Sequence, residues 1–188
     1  MSPEVMSTEI TDLIYRYAEL IDAGDFEGIG ELLARATFGG PHTPKVTGAR
    51  NIAEMFSRTT RRFADPGAGR HRAGRGTPRT RHLVLNAIVE IDGDTATARS
   101  TFCVVQATDR VPLQPIVVGR YYDRFARDPF ARDPFARDQD SRGWYFTERI
   151  VDVEMIGDVS DHLLVDLHGL RRAGDFALGE SHGPPLEC

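Results

Sequence analysis

The feature that most constrains this chain is a change of hydrophobic period along its length. Between residues 10 and 33 the apolar side chains fall at Ile10, Leu13, Ile14, Tyr17, Leu20 and Ile21, which is the spacing of one face of an α-helix. From His82 onward apolar and polar residues alternate in the period of a strand. A chain that places its helices first and a run of strands afterwards folds as α+β with an antiparallel sheet.

The punctuation supports this order. Gly24 supplies a left-handed stop to the first helix, and Asp25 caps a second that runs through Phe26, Ile29, Leu32 and Leu33. Ser2, Pro3 and Glu4 are able to start the first helix one turn earlier. Residues 36–47 hold two glycines and two prolines and read as a loop around a short strand at Ala36, Thr37 and Phe38. A third helix opens at Gly48, with Ile52, Met55 and Phe56 on its apolar side. Four strands are expected at residues 82–91, 95–108, 111–125 and 143–156, the first two joined at Asp92-Gly93-Asp94.

Two segments read as loops. Residues 65–81 are rich in Gly and Arg and build no core, and Arg70, Arg72, Arg75, Arg79 and Arg81 make a local basic patch. Residues 126–142 carry a tandem FARDP repeat that begins at Phe125, and they read as an expanded, mobile hairpin loop. One domain is expected over residues 1–157, followed by a C-terminal extension over 158–188 that is partly disordered.

The totals exclude several classes. A formal net charge of −5 and a pI near 5.7 argue against a nucleic-acid binder. Cys103 and Cys188 have no metal-ligand spacing, and their scarcity fits a reducing cytoplasm. No apolar run is long enough to cross a membrane, and neither a phosphate loop nor a dinucleotide fingerprint is present, so no cofactor and no metal are expected.

Asp22 is out of place. It stands in the last turn of the first helix, where the helix dipole disfavours a carboxylate by about 0.3–1 kcal/mol. It also lies about 40° around the helix from Ala18, beside the apolar stripe. It is either solvated at the helix end or paired with a group brought from elsewhere. His82 opens the first long strand, on a face shared by parity with Val84, Asn86 and Ile88. The opposite parity, Leu83, Leu85, Ala87, Val89 and Ile91, is the more apolar, so both faces of this strand are expected to be covered. A second copy of the chain, in a dimer or trimer, would cover the outer one.

Several short motifs occur in a set order. They are Y-x-x-x-x-D followed by G-D-F, then R-H-L-V-L-N, D-G-D-T-A-T-A, G-R-Y-Y-D and G-W-Y-F-T-E-R. In that order, over residues 8–153, they resemble the SnoaL-like family of the nuclear-transport-factor-2-like superfamily. The resemblance implies a cone-shaped α+β barrel, a curved antiparallel sheet wrapped around three N-terminal helices and enclosing an apolar pocket. Relatives in that superfamily include scytalone dehydratase, bile acid 7α-dehydratase and hexachlorocyclohexane dehydrochlorinase, which use an Asp–His pair. The matching positions here are Asp22 and His82, with Tyr17 matching a tyrosine of the bile acid enzyme and Arg149 nearest to an arginine of the dehydrochlorinase. Scytalone itself fits poorly. Ile21 stands where its dehydratase has a tyrosine, and residues 116–125 hold no second histidine.

The chemistry this implies is proton abstraction without a cofactor. An imidazole titrates near neutral pH and serves as a base, and a carboxylate on its other nitrogen fixes the tautomer. Tyr17, Asn86, Tyr121 and Arg149 are candidates to hold a developing oxyanion or leaving group, although Arg149 is equally able to pair with a structural acid such as Asp123. Met55, Phe56, Val84, Phe102, Tyr121 and Trp144 are expected to line the pocket. The expected function is a dehydratase-like lyase or isomerase acting on an apolar ring compound. A non-catalytic binding module and an oxygenase β-subunit-like structural protein stand as the alternatives.

Overall fold

The computed structural model describes residues 3–64, 76–132 and 142–165. The elements run α1 (Pro3–Ala23), α2 (Phe26–Leu32), β1 (Thr37–Gly39), β2 (Val46–Thr47), α3 (Ala49–Thr59), β3 (Thr80–Asp92), β4 (Thr95–Gln106), β5 (Gln114–Arg132) and β6 (Arg142–Ile156). The strands form one six-stranded, curved, open sheet in the order β2-β1-β6-β5-β4-β3. The architecture is therefore the α+β arrangement expected from the change of period, curved into the cone that the resemblance implied, with the sheet left open along its edges.

α1 ends as its sequence dictates. Gly24 has φ 70°, its N–H donates to the Ile21 carbonyl at 3.0 Å, and the Asp25 N–H donates to the Leu20 carbonyl at 2.9 Å. This is the paired closure that a left-handed glycine permits. The Asp25 carboxylate then accepts from the Gly28 N–H at 3.0 Å and starts α2. The buried face of α1, Ile10, Ile14, Tyr17 and Ile21, packs with Ile29 and Leu33, Ile52 and Phe56 of the next helical segments, and with Phe102, Tyr121, Phe125 and Phe146 of the sheet. Among the described residues no helix is long and apolar enough to cross a membrane.

The sheet differs from the expectation in three ways. β1 pairs parallel to β6, Phe38 facing Arg149, so the sheet is mixed rather than wholly antiparallel. β2, unforeseen in the glycine- and proline-rich loop, pairs antiparallel with β1. β5 runs on through Arg132, so the first FARDP unit continues a strand where a loop was expected from residue 126. The reason is pairing: Ala126 and Arg127 face Tyr145 and Trp144 of β6. Arg127 is also held from the hairpin at the other side, its N–H donating to the Asp94 carbonyl and its Nε to the Asp94 carboxylate, both at 2.8 Å. Most of the Gly/Arg-rich segment (65–75), the rest of the repeat loop (133–141) and the end of the extension (166–188) lie outside the described residues.

Bulges decide which side chains enter the cone. The register of β3 against β4 slips between Leu85 and Ile88, with Asn86 in the left-handed region at φ 54°. An extra residue reverses the parity beyond it. His82 and Val84 keep the inner side. Val89 and Ile91, from the set of opposite parity, turn in after the bulge, while Ile88 turns out. β6 slips likewise, where Phe125 faces Phe146 but Arg124 faces Glu148. That slip brings Arg149 onto the same inner side as Trp144 and Phe146.

Substituting Gly24→Ala forces φ 70° on a residue with a Cβ and puts that Cβ 2.8 Å from the Gly76 carbonyl oxygen. Chemical denaturation should show a loss of about 1–2 kcal/mol with an unchanged slope.

Candidate active site

Asp22 and His82 meet where the end of α1 touches the start of β3. The His82 Nδ1 lies 2.7 Å from Asp22 Oδ1, and the His82 backbone N–H donates to Asp22 Oδ2 at 2.9 Å. The Thr80 hydroxyl donates to Oδ1 at 2.8 Å. Three donors thus satisfy a carboxylate placed against its own helix dipole. The His82 side chain is only 5 % exposed and that of Asp22 11 %. A carboxylate only accepts, so Nδ1 carries the imidazole proton and Nε2 carries the lone pair. That is the tautomer of a positioned base.

Behind the pair lies an aromatic wall with a charge inside it. The Arg149 guanidinium, fully buried, sits 4.0 Å from the Tyr17 ring centroid and 3.9 Å from that of Tyr121. Phe102 stacks on Tyr121 at 4.3 Å, and Tyr17 meets Tyr121 edge-on at 6.0 Å. The ion-pair partner of Arg149 is Asp123, with Nε to Oδ1 at 3.7 Å, too long for a hydrogen bond. All three guanidinium nitrogens and both Asp123 oxygens are buried with no hydrogen-bond partner among the described residues. The cation is held by ring faces, which attract it through their quadrupoles.

This environment sets protonation. Burial pushes the Asp123 carboxyl up to about 6, against the opposing pull of Arg149. Burial pushes the Tyr17 hydroxyl up to about 12, Arg149 again opposing, and lifts Tyr121 well above its ordinary value. Both phenols therefore remain donors at neutral pH.

The other expected pocket residues are spread along the cone. Phe56, Phe102 and Tyr121 are buried in the same core as Tyr17, with Met55 and Val84 partly buried against it. Val84 faces Phe102 across the strands, one residue pair inward from His82 and Val104. Asn86 does not share this wall, since the β3 bulge leaves it exposed. Trp144 is buried but stands five residues along β6 from Arg149, roughly 16 Å away at strand rise, under the Arg127 guanidinium.

One residue escaped the sequence reading. After β6, residues 159–163 form a turn that brings His162 into the interior, 7 % exposed and with no partner for its Nδ1 among the described residues. Burial first, then the nearby His82, push its imidazole down to about 4, with Asp22 opposing. Residues 159–167 read in the sequence as a helical turn or a strand, and nothing in them singled out His162.

The fold is an α+β cone whose inner side carries the Asp22–His82 contact. The SnoaL-like domain matches residues 6–150, and the chain belongs to that family, as the motif order implied. Solved structures share the fold. An NTF2-like protein with a cystatin-like fold from Novosphingobium aromaticivorans is 24% identical over 82% of this chain and 85% of that one, with a TM-score of 0.55. A candidate scytalone dehydratase from the same organism is 16% identical, covering 82% and 87%, with a TM-score of 0.57. The β subunit of a candidate aromatic-ring-hydroxylating dioxygenase, also from that organism, is 14% identical, covering 82% and 92%, with a TM-score of 0.56. No curated protein matches the chain in sequence.

A histidine with a lower pKa folded than unfolded binds fewer protons in the fold. Its stabilising effect is complete above about 6.5 and is lost as pH falls through about 4. His162→Gln removes this titration, so its stability should fall less steeply over that range than wild type, by about 3 kcal/mol in total. Urea melts at pH 7.5, 6 and 4.5 measure the difference.

Proposed function

We propose that this protein is a cofactor-independent lyase or isomerase of the dehydratase type, acting on a small apolar ring compound. The observation that carries the reading is the buried Asp22–His82 hydrogen bond at 2.7 Å, which leaves the second imidazole nitrogen free to act as a base. In this reading His82 Nε2 removes a proton from an activated carbon, and Asp22 stabilises the imidazolium that forms. The C–H electron pair moves into the ring, which either expels a β-substituent such as water or accepts the proton back at another carbon. Tyr17 lies five residues before Asp22, about 7.5 Å along the helix axis, close to the span of one six-membered ring. Tyr17, Tyr121 and Arg149 would then hold the substrate's oxygen or leaving group.

The substrate-binding surface would comprise Met55, Phe56, Val84, Phe102 and Tyr121. The outer face of the sheet supports self-association. Leu83, Leu85, Ile88, Tyr122 and Met155 are exposed there, around a groove of about 690 Å³ that Ile88 and Tyr122 line with Asp152 and Glu148. A dimer or trimer through this face should show in sedimentation velocity at micromolar concentration, and Leu85→Lys should shift it to monomer. A wild-type monomer there would rule the association out.

Catalysis is tested without knowing the substrate by incubating a panel of cyclic ketones and lactones in D2O and reading deuterium at the α-carbon. Wild type should accelerate exchange for at least one compound. His82→Ala should lose about 10²–10⁴-fold, and Asp22→Asn should also lose heavily, because it no longer fixes the tautomer. The double variant should be little worse than His82→Ala, since the two act as one unit. Equal exchange by wild type and both single variants would leave a ligand-binding module as the better reading.

A further inference from the structure

The turn at residues 159–163 lies beyond the part of the chain that matches the SnoaL-like domain, yet it is anchored in the candidate site. Asp161 is 2 % exposed and its carboxylate accepts from the Thr108 hydroxyl at 2.7 Å and from Arg110 Nε at 3.3 Å. Its carbonyl accepts from Gln106 Nε2 at 3.2 Å. Gln106 is the strand partner of Thr80, and Thr80 is the residue whose hydroxyl holds Asp22. The next residue, His162, is fixed through its backbone, the Arg61 N–H donating to its carbonyl at 2.8 Å and its own N–H donating to the Val159 carbonyl at 2.9 Å. Leu164 N–H closes the turn on the Thr59 carbonyl at the end of α3.

The turn is therefore held by Asp161 and by the backbone, and among the described residues the His162 Nδ1 makes no hydrogen bond. A buried ring nitrogen without a partner is costly unless something else uses it. We propose that His162 is the second histidine of this site, and that its ring N–H receives the carbonyl oxygen of the substrate while His82 takes the proton from the adjacent carbon. The proposal rests on the reading of Asp22–His82 as the base. It narrows the substrate class to cyclic ketones and lactones with an acidic hydrogen α to the carbonyl.

The electron flow balances. The C–H bond breaks with its proton going to His82 Nε2. Its electron pair forms the carbon–carbon double bond, the carbonyl π pair moves to oxygen, and that oxygen takes a hydrogen bond from His162 without a proton being transferred. A neutral imidazole suits this role. Held down to about 4 by burial and by His82, it is uncharged at pH 7. It therefore donates without repelling the imidazolium forming on its neighbour.

The test uses 2-naphthol, a neutral phenol at pH 7 whose hydroxyl can donate to one imidazole and accept from the other as an enol would, with the full-length protein carrying ¹⁵N-labelled histidine. On titration at pH 7, the ring signals of His82 and His162 should move together with one half-saturation point, while exposed His42 stays still. His162→Ala should weaken binding about tenfold, the scale of one hydrogen bond, and His162→Gln should recover part of it. If His82 moves and His162 does not, or if His162→Ala binds as wild type, the proposal is overturned while the Asp22–His82 site survives. If neither ring moves up to the solubility limit of 2-naphthol, the proposal and the pocket reading fall together. Should His162→Ala not fold, the wild-type His162 signal and the glutamine variant decide.

Discussion

The Asp22 carboxylate is the joint of this structure. It is the point at which the last turn of α1 is tied to the first residues of β3, through Thr80 and twice through His82. A carboxylate at that helix end is unfavourable by itself, and one close to a core face is more so, because burial disfavours charge. Three donors aligned by a neighbouring strand reverse the balance. The same bonds that make the position tolerable orient the imidazole, so the fold and the candidate chemistry share one set of contacts.

The second charged feature of the interior is built on a different principle. Arg149 and Asp123 face each other on paired strands without hydrogen-bonding, and ring faces rather than oxygens surround the guanidinium. A buried pair of this kind is weak evidence for stability, since desolvation works against the attraction between the charges. It is a cluster whose donors and acceptors have no hydrogen-bond partner among the described residues. The two charged features contrast: the Asp22 carboxylate is satisfied by three donors of β3, whereas Arg149 and Asp123 have no hydrogen-bond partner among the described residues.

Much of this was legible in the sequence, and the rest was hidden for identifiable reasons. The apolar stripe of α1, the Gly24 stop and the Asp25 cap are local signals, and each has its local structure. The motif order located the family, and Asp22 stood out because its position contradicted the dipole. Parity arguments failed where a strand carries an extra residue. The bulge at Asn86 turned Ile88 outward, away from the side it shares by parity with His82 and Val84. β1 is parallel to a strand from the far end of the chain, and no period in residues 37–39 announces that. The FARDP unit looked like a loop by composition, but Asp94 and Trp144 gave Arg127 partners that composition does not show. His162 could be found only by tracing where the chain goes after its last strand.

The parallel pairing of β1 with β6 also shapes how the chain reaches this state. Phe38 faces Arg149, a separation of 149 − 38 = 111 positions. The hairpins of β3 to β6 form from neighbours in sequence and are available early, whereas the β1–β2 edge joins the main sheet only after β6 exists. Contacts of such long range require a large loop to close before they contribute any stability, and they slow folding. On a ribosome the helices and the first edge strands emerge well before their partner, with the apolar face of α1 open to solvent in the meantime. The candidate site, which draws on residue 22, residue 82 and the strand that carries Arg149, is thus among the last parts of the molecule to be assembled.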